Sequence, residues 1–312
     1  MAAYHGARAP VFLYPDGMRK PSQLDGKCVL ITGAARGIGA GAARALAARG
    51  ARVALVGLEP AHLREVAAGC GHGAVWYEAD VTDASALAGA IDTAAAALGG
   101  LDAVFANAGI GSFQPLRTMD PAQLRRVFEV NTFGVFHTIR AALPHVIARQ
   151  GYVLLNASVS AVSAIPGFGA YAPSKAAVEM MGDILRQEVR HLGVDVGVCY
   201  FSFTDTDLVR SSHVHPALRL LREHMPPPLR TDTPLSVVVD AVVRAVERRE
   251  KRVVVPRSLR AILPMRWMLA LTLPRAAAPL MPEVERLCAE TDQRFGGSTP
   301  TTEDPEALLR HA

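Results

Sequence analysis

The sequence predicts an α/β domain with a doubly wound, parallel, seven-stranded sheet and helices on both of its faces. Three observations predict it. From Lys27 onward, short apolar runs alternate with longer Ala-rich segments of helical period, the rhythm of a parallel sheet buried on both sides. The 312 residues suffice for one large core. A glycine cluster follows the first apolar run and leads straight into the first helical segment, the place where open α/β sheets bind ligands.

Each element follows from its own residues. Strands are expected at Cys28–Thr32, Arg52–Val56, Ala74–Glu78, Ala103–Ala106, Tyr152–Asn156, Asp195–Tyr200 and Lys251–Val255, where β-branched and apolar residues cluster. Helices are expected near 39–49, 61–68, 83–98, 121–149, 170–191 and 234–249. Asp83 and Asp120 are suited to N-capping, the latter followed by Pro121 at the first helical position. Residues 1–25 read as an irregular extension, 26–256 as the domain, and 257–312 as an apolar, proline-interrupted tail. The segment 207–233 breaks the rhythm with Pro216 and Pro226–Pro228, and is expected to form a lid over a substrate.

Composition narrows the function classes. The chain is 50% hydrophobic and 20% charged, an ordinary globular balance, and its net charge is +4 with a pI near 9.0. The arginines are spread along the chain, without the clustered charge and binding motif of a nucleic-acid partner. Cys28, Cys70, Cys199 and Cys288 lie far apart and form no CxxC pair, so free thiols, no metal and a cytoplasmic location are expected. The N-terminus lacks the apolar core of a signal peptide, and the stretch from Ala261 to Met281 is broken by Arg266, Arg275 and prolines. No integral membrane segment is expected, and contact with a membrane surface stays open as a weaker use of that stretch.

The first strand runs into Thr32-Gly33-Ala34-Ala35-Arg36-Gly37-Ile38-Gly39 and then into a helix, a unit of Rossmann type. Glycines allow the tight turn and the close approach of backbone N–H groups to a pyrophosphate. Gly33, Ala35, Arg36, Gly37, Ile38 and Gly39, with Leu58 after the second strand, are therefore candidate cofactor contacts. The second strand ends Val56-Gly57-Leu58-Glu59, with glycine where an acid would bind a ribose hydroxyl. Arg36 could instead meet a 2′-phosphate. The local chemistry leans to NADP(H), with NAD(H) as the alternative.

Tyr171-Ala-Pro-Ser-Lys175 opens a long helix, and the i,i+4 spacing puts phenol and ammonium on one face. A cation about 4 Å away at an effective dielectric of ~20 would favour phenolate by roughly 4 kcal/mol, about 3 pKa units. Such a phenol exchanges a proton with a carbonyl/alcohol pair near neutral pH. The bland alternative is a helix-start aromatic beside a solvated lysine.

Taken together, these motifs resemble the short-chain dehydrogenase/reductase family over roughly residues 25–256. The resemblance rests on Thr32–Gly39, Asp80-Val81, Asn107-Ala108-Gly109, Asn131, Ser158 and Tyr171/Lys175, in the family's order and spacing. It implies an oxidoreductase acting on a small-molecule carbonyl or alcohol, with Tyr171 as acid/base and Ser158 bonded to the substrate oxygen. Ser160 and Ser163 compete for that role. Lys175 would hold the nicotinamide ribose and Asn131 would join it to a proton-supplying water chain. Asp80 and Val81 would sit by the adenine, Asn107, Ala108 and Gly109 by the ribose, and Thr204 and Thr206 by the carboxamide. Two departures stand out: Ala106 replaces an Asn, and Phe201-Ser202 replaces a Pro-Gly pair beside the nicotinamide.

Reduction of a lipophilic ketone or aldehyde with NADPH is the leading expectation, since Phe113, Phe168, Phe203 and Leu208 would make an apolar pocket. NAD-dependent alcohol oxidation and a non-catalytic cofactor sensor are the alternatives. A homodimer or homotetramer is expected through the helices at 121–149 and 170–191, with Val127, Val130, Val178 and Met181 facing outward. The tail, with Trp267, Met268, Leu269 and Leu271, is expected to fold over the pocket or against a partner subunit.

Overall fold

The strands are unbroken apolar runs because both faces of the sheet are covered. In the computed structural model, which describes residues 24–71, 73–212, 215–225 and 227–294, they are β1 (Cys28–Thr32), β2 (Arg52–Gly57), β3 (Val75–Glu78), β4 (Ala103–Ala106), β5 (Tyr152–Asn156), β6 (Asp195–Phe201) and β7 (Arg252–Val255). All pair in parallel, in the order β3-β2-β1-β4-β5-β6-β7. The order reverses between β1 and β4, so a crevice opens there at the strands' carboxyl ends.

In chain order the helices are α1 (Gly37–Ala47), α2 (Pro60–Cys70), α3 (Ala84–Leu98), α4 (Pro121–Phe128), α5 (Gly134–Ala148) and α6 (Tyr171–Val189). The short helices α7 (Asp207–Ser212), α8 (Pro216–Glu223) and α9 (Pro227–Arg230) follow, then α10 (Leu235–Arg248), α11 (Ile262–Ala277) and α12 (Met281–Arg294). Alternation along the strands divides the core in two. Val29, Ile31 and Leu55 pack under α1, α2 and α10, whereas Cys28, Leu30 and Val56 pack under α3 to α6. Asp83 caps α3 by accepting from the Ser85 and Ala86 amides, and Asp120 caps α4 by accepting from Ala122.

Several expectations change. Leu24, placed in the extension, is buried in the core, while residues 1–23 and 295–312 lie outside the described residues. The helix expected over 121–149 is interrupted by a π-helical turn, Glu129–Phe133, between α4 and α5. β6 runs on to Phe201, because Ser202 still donates its amide to the Val255 carbonyl of β7 at 3.0 Å. Val127, Val130 and Val178 face the sheet and are buried, and Met181 is half-buried against the same core. The helical phase turns Phe133, Phe136, Met180 and Ile184 outward instead.

The segment 207–233 carries α7, α8 and α9, and the stretch after Pro256 is helical. Ala217, Leu218 and Leu221 of α8 pack on Val284 and Cys288 of α12 and on Phe113. Two polar ties hold α12 down: Arg117 bonds Glu285 through two nitrogens, and Gln114 donates to Asp292 at 3.0 Å. On α11, Met265, Trp267 and Met268 stay exposed, and the side chains of Leu269 and Leu271 lie outside what is described. No helix among the described residues is long and apolar enough to cross a membrane.

Candidate active site

The crevice between β1 and β4 is shaped by backbone contact. Gly33 has φ +63°, and a Cβ there would stand 2.7 Å from the Ala108 Cα. A Cβ on Gly39 would strike the Gly33 carbonyl, so this glycine seats α1 against the loop. α1 starts without a capping side chain or an acid in its first turn, leaving its N-terminal dipole turned to the crevice. Asn107 locks the loop. Its amide nitrogen donates to Thr32 Oγ1, its Nδ2 donates to the Thr32 and Gly33 carbonyls, and its Oδ1 accepts from Asn156 Nδ2.

A cavity of about 450 Å³ fills the crevice. Its wall takes in every candidate cofactor contact except Gly39, which packs behind it, and Thr204, which borders the neighbouring cavity. Glycine cradle, uncapped helix end and the Asp80 carboxylate fit a dinucleotide in shape and donor set. Arg126 of α4 and Asn156 also line it, and nothing in their sequence positions marked them. Arg36 Nε donates to Glu59 Oε1 at 2.7 Å, so the arginine expected to meet a 2′-phosphate is bound to the acid that follows Leu58.

Ser158, Tyr171 and Lys175 converge where this cavity meets a second one. Tyr171 opens α6 and lines both cavities. Ser158 follows β5, donates its hydroxyl to the Phe201 carbonyl at 3.4 Å, and lies near enough to Tyr171 to lower the pKa of the phenol. Ser163 is turned away, donating to the Val159 carbonyl, whereas Ser160 lines the second cavity with its hydroxyl unpartnered among the described residues.

Lys175 Nζ donates to the Asn156 carbonyl at 2.8 Å and stands 5.8 Å from the Tyr171 ring centroid. The expected drop of the phenol toward neutrality does not occur. Burial pushes Tyr171 up and the Ser158 hydrogen bond restores only part of the shift, while burial pulls Lys175 down to about 8. Desolvation dominates both shifts because both groups are enclosed. A phenol in this state holds its proton at neutral pH and is a donor.

Asn131 sits in the π turn, wholly buried. Its Oδ1 accepts from the Ile110 amide, and its Nδ2 donates to the Ile110 carbonyl and to Ser174 Oγ. The wide turn aims it inward between α6 and the loop after β4.

The second cavity, of about 190 Å³, is mostly apolar. Tyr171, Phe168, Phe113 and His215 follow one another along its wall with ring centroids 6.0, 5.4 and 4.8 Å apart. α7, α8 and α12 close it with Leu208, Leu218 and Thr291, so the segment 207–233 and part of the tail do border the pocket. Thr206 borders both cavities.

Comparison with known proteins agrees with this geometry. The family model for short chain dehydrogenase matches residues 27–216. A versicolorin reductase of Emericella nidulans is 37% identical over 182 residues, 56% of this chain and 65% of that protein. The chain thus spans just under two thirds of that relative's length. A cis-4-hydroxycyclohexanecarboxylate dehydrogenase of Sinomonas cyclohexanicum is 36% identical over 189 residues, 59% of this chain and 75% of that protein. Among solved structures, a short chain dehydrogenase/reductase from Burkholderia phymatum in complex with NAD shares the fold. Its TM-score is 0.69 at 23% identity, covering 79% of this chain and 94% of that one.

Proposed function

Since the chain belongs to the short-chain dehydrogenase/reductase family, we propose that it is a nicotinamide-dependent oxidoreductase that reduces a ketone or aldehyde on a lipophilic substrate, with NADP(H) as the cofactor. The observation that carries the reading is the meeting of two cavities at Tyr171, one lined by glycine loop and helix end, the other by apolar side chains. When bound, the nicotinamide supplies a hydride to the carbonyl carbon. The Tyr171 hydroxyl gives its proton to the carbonyl oxygen, and Ser158 donates a hydrogen bond to the same atom as charge builds there. Lys175 would hold the ribose side and pass a proton to the phenolate, regaining it from solvent through a water chain that Asn131, fixed by Ile110 and Ser174, would anchor. Alcohol oxidation uses the same residues in reverse.

Segment 207–233 serves as the lid in this reading, and a cytoplasmic location suits the buried free thiols Cys28, Cys199 and Cys288. Self-association would use the outward faces of α5 and α6.

Tyr171→Phe tests the reaction. Turnover should fall by about 100- to 10,000-fold while cofactor affinity, read by nicotinamide fluorescence, stays put. Near-normal turnover in that variant would end the reading. Cofactor binding by the wild type with no carbonyl or alcohol turned over would favour the non-catalytic alternative.

One observation favours NAD(H) as a second reading: Arg36 is already matched by Glu59. Both side chains are more than a third exposed, so the pair is worth at most about 1 kcal/mol and a 2′-phosphate could displace it. Glu59→Gln decides. If Arg36 recognises the phosphate, NADPH affinity rises in that variant while NADH affinity holds. A fall in NADH affinity instead would assign the ribose to Glu59.

A further inference from the structure

Among the described residues, His215 is a buried side chain whose two ring nitrogens both lack a hydrogen-bond partner. It is 7% exposed and borders the second cavity. Its place before α8 does not account for it, because the imidazole makes no capping bond to that helix. The Asp292 carboxylate acts on the imidazole through space, without a hydrogen bond to either ring nitrogen. Asp292 is turned to Gln114 Nε2 at 3.0 Å. A second orphan borders the same cavity: Ser112 has a buried hydroxyl, unpartnered among the described residues, and precedes Phe113, whose ring meets His215 edge-on. Buried polar groups are normally paired, so two unpaired ones on one apolar wall call for a ligand that pairs them.

Chemistry narrows that ligand. Burial holds the imidazole neutral, its pKa down at about 4. Neutral imidazole offers one donor and one acceptor, as does a serine hydroxyl. A hydroxyl group, itself donor and acceptor, matches both. A carboxylate does not, because the Asp292 charge acts on the imidazole and no lysine or arginine among the described residues lines the cavity. Two phenyl rings, Phe168 and Phe113, stand between the Tyr171 ring and His215.

We propose that His215 and Ser112 form a distal polar subsite of this cavity, taking an uncharged hydroxyl at the far end of a lipophilic ring compound whose carbonyl faces Tyr171. The orientation of the carbonyl rests on the oxidoreductase reading; the subsite does not.

The test uses the full chain without cofactor and two probes, 4-(4-hydroxyphenyl)cyclohexanone and 4-phenylcyclohexanone, with dissociation constants from calorimetry. The wild type should bind the hydroxylated ketone about tenfold more tightly. His215→Phe keeps a ring against Phe113 and should bring the ratio to about one, by weakening the hydroxylated ketone alone. Ser112→Ala should lower the ratio in part. His215→Leu serves as a second removal if His215→Phe does not fold. Equal affinity for the two ketones in the wild type, binding of neither, or an unchanged ratio without the imidazole each overturn the subsite. Turnover is read separately with both nicotinamides. Discrimination without turnover upholds the subsite and overturns the oxidoreductase reading, whereas turnover without discrimination does the reverse.

Discussion

Lys175 shows how the site trades stability for chemistry. Its ammonium is 3% exposed, with one hydrogen bond to the Asn156 carbonyl. A pKa of about 8 against an ordinary 10.5 means that the unfolded chain holds the proton more firmly. Below pH 8 both states are protonated and the fold is weakened by roughly 3 kcal/mol; the deficit shrinks as pH rises from 8 to 10.5. Lys175→Met should therefore stabilise the protein at pH 7 by about 2 kcal/mol, after some 1 kcal/mol for the orphaned carbonyl. The gain should fade towards pH 10.5 while activity is lost, as denaturant titrations at the two pH values and a rate assay would show. The convergence of Lys175, Tyr171 and Ser158 was legible in the sequence because their spacing along one chain segment places them together. Asn156 and His215 were not, since each acquires its role from partners 19 or more residues away or from having none.

The elements divide by the range of the forces that make them. Strand positions and the Asp83 and Asp120 caps follow from local pattern and were readable to within a residue or so. The π turn was not, because Asn131 answers to Ile110 and Ser174, which are distant in sequence. Nor was the pairing of α8 with α12, because prolines made both segments look irregular. Val284, with no exposed surface, is the apolar anchor of α12. Val284→Asp should cost about 2–4 kcal/mol by burying an unpaired charge or lifting the helix. The Michaelis constant for a lipophilic substrate should rise at least severalfold, with cofactor affinity unchanged. Equal losses in both, measured by steady-state kinetics and fluorescence titration, would show that α12 supports the whole domain rather than the pocket.

At the scale of the whole molecule, the outward faces of the π turn, α5 and α6 leave Phe133, Phe136, Met180 and Ile184 between 45% and 58% exposed. The sequence reading expected association through these helices but named residues that the structure turns inward, since apolar content alone does not fix which face meets the sheet. A twofold pairing would bury that surface on both copies at once. Met180→Glu combined with Ile184→Lys should halve the particle mass in sedimentation without unfolding the protomer; an unchanged mass would place association elsewhere.

The roof over the second cavity has an evolutionary consequence. Glycine loop, Ser158, Tyr171 and Lys175 all fall within 27–216, whereas Leu229 and Thr291 reach the pocket from beyond it. Selection can therefore rewrite the late stretch, changing what the pocket admits, without disturbing the reacting groups. Paralogues descended from such a chain would diverge first in their final helices, and grafting residues 257–294 between them would carry preference from one to another.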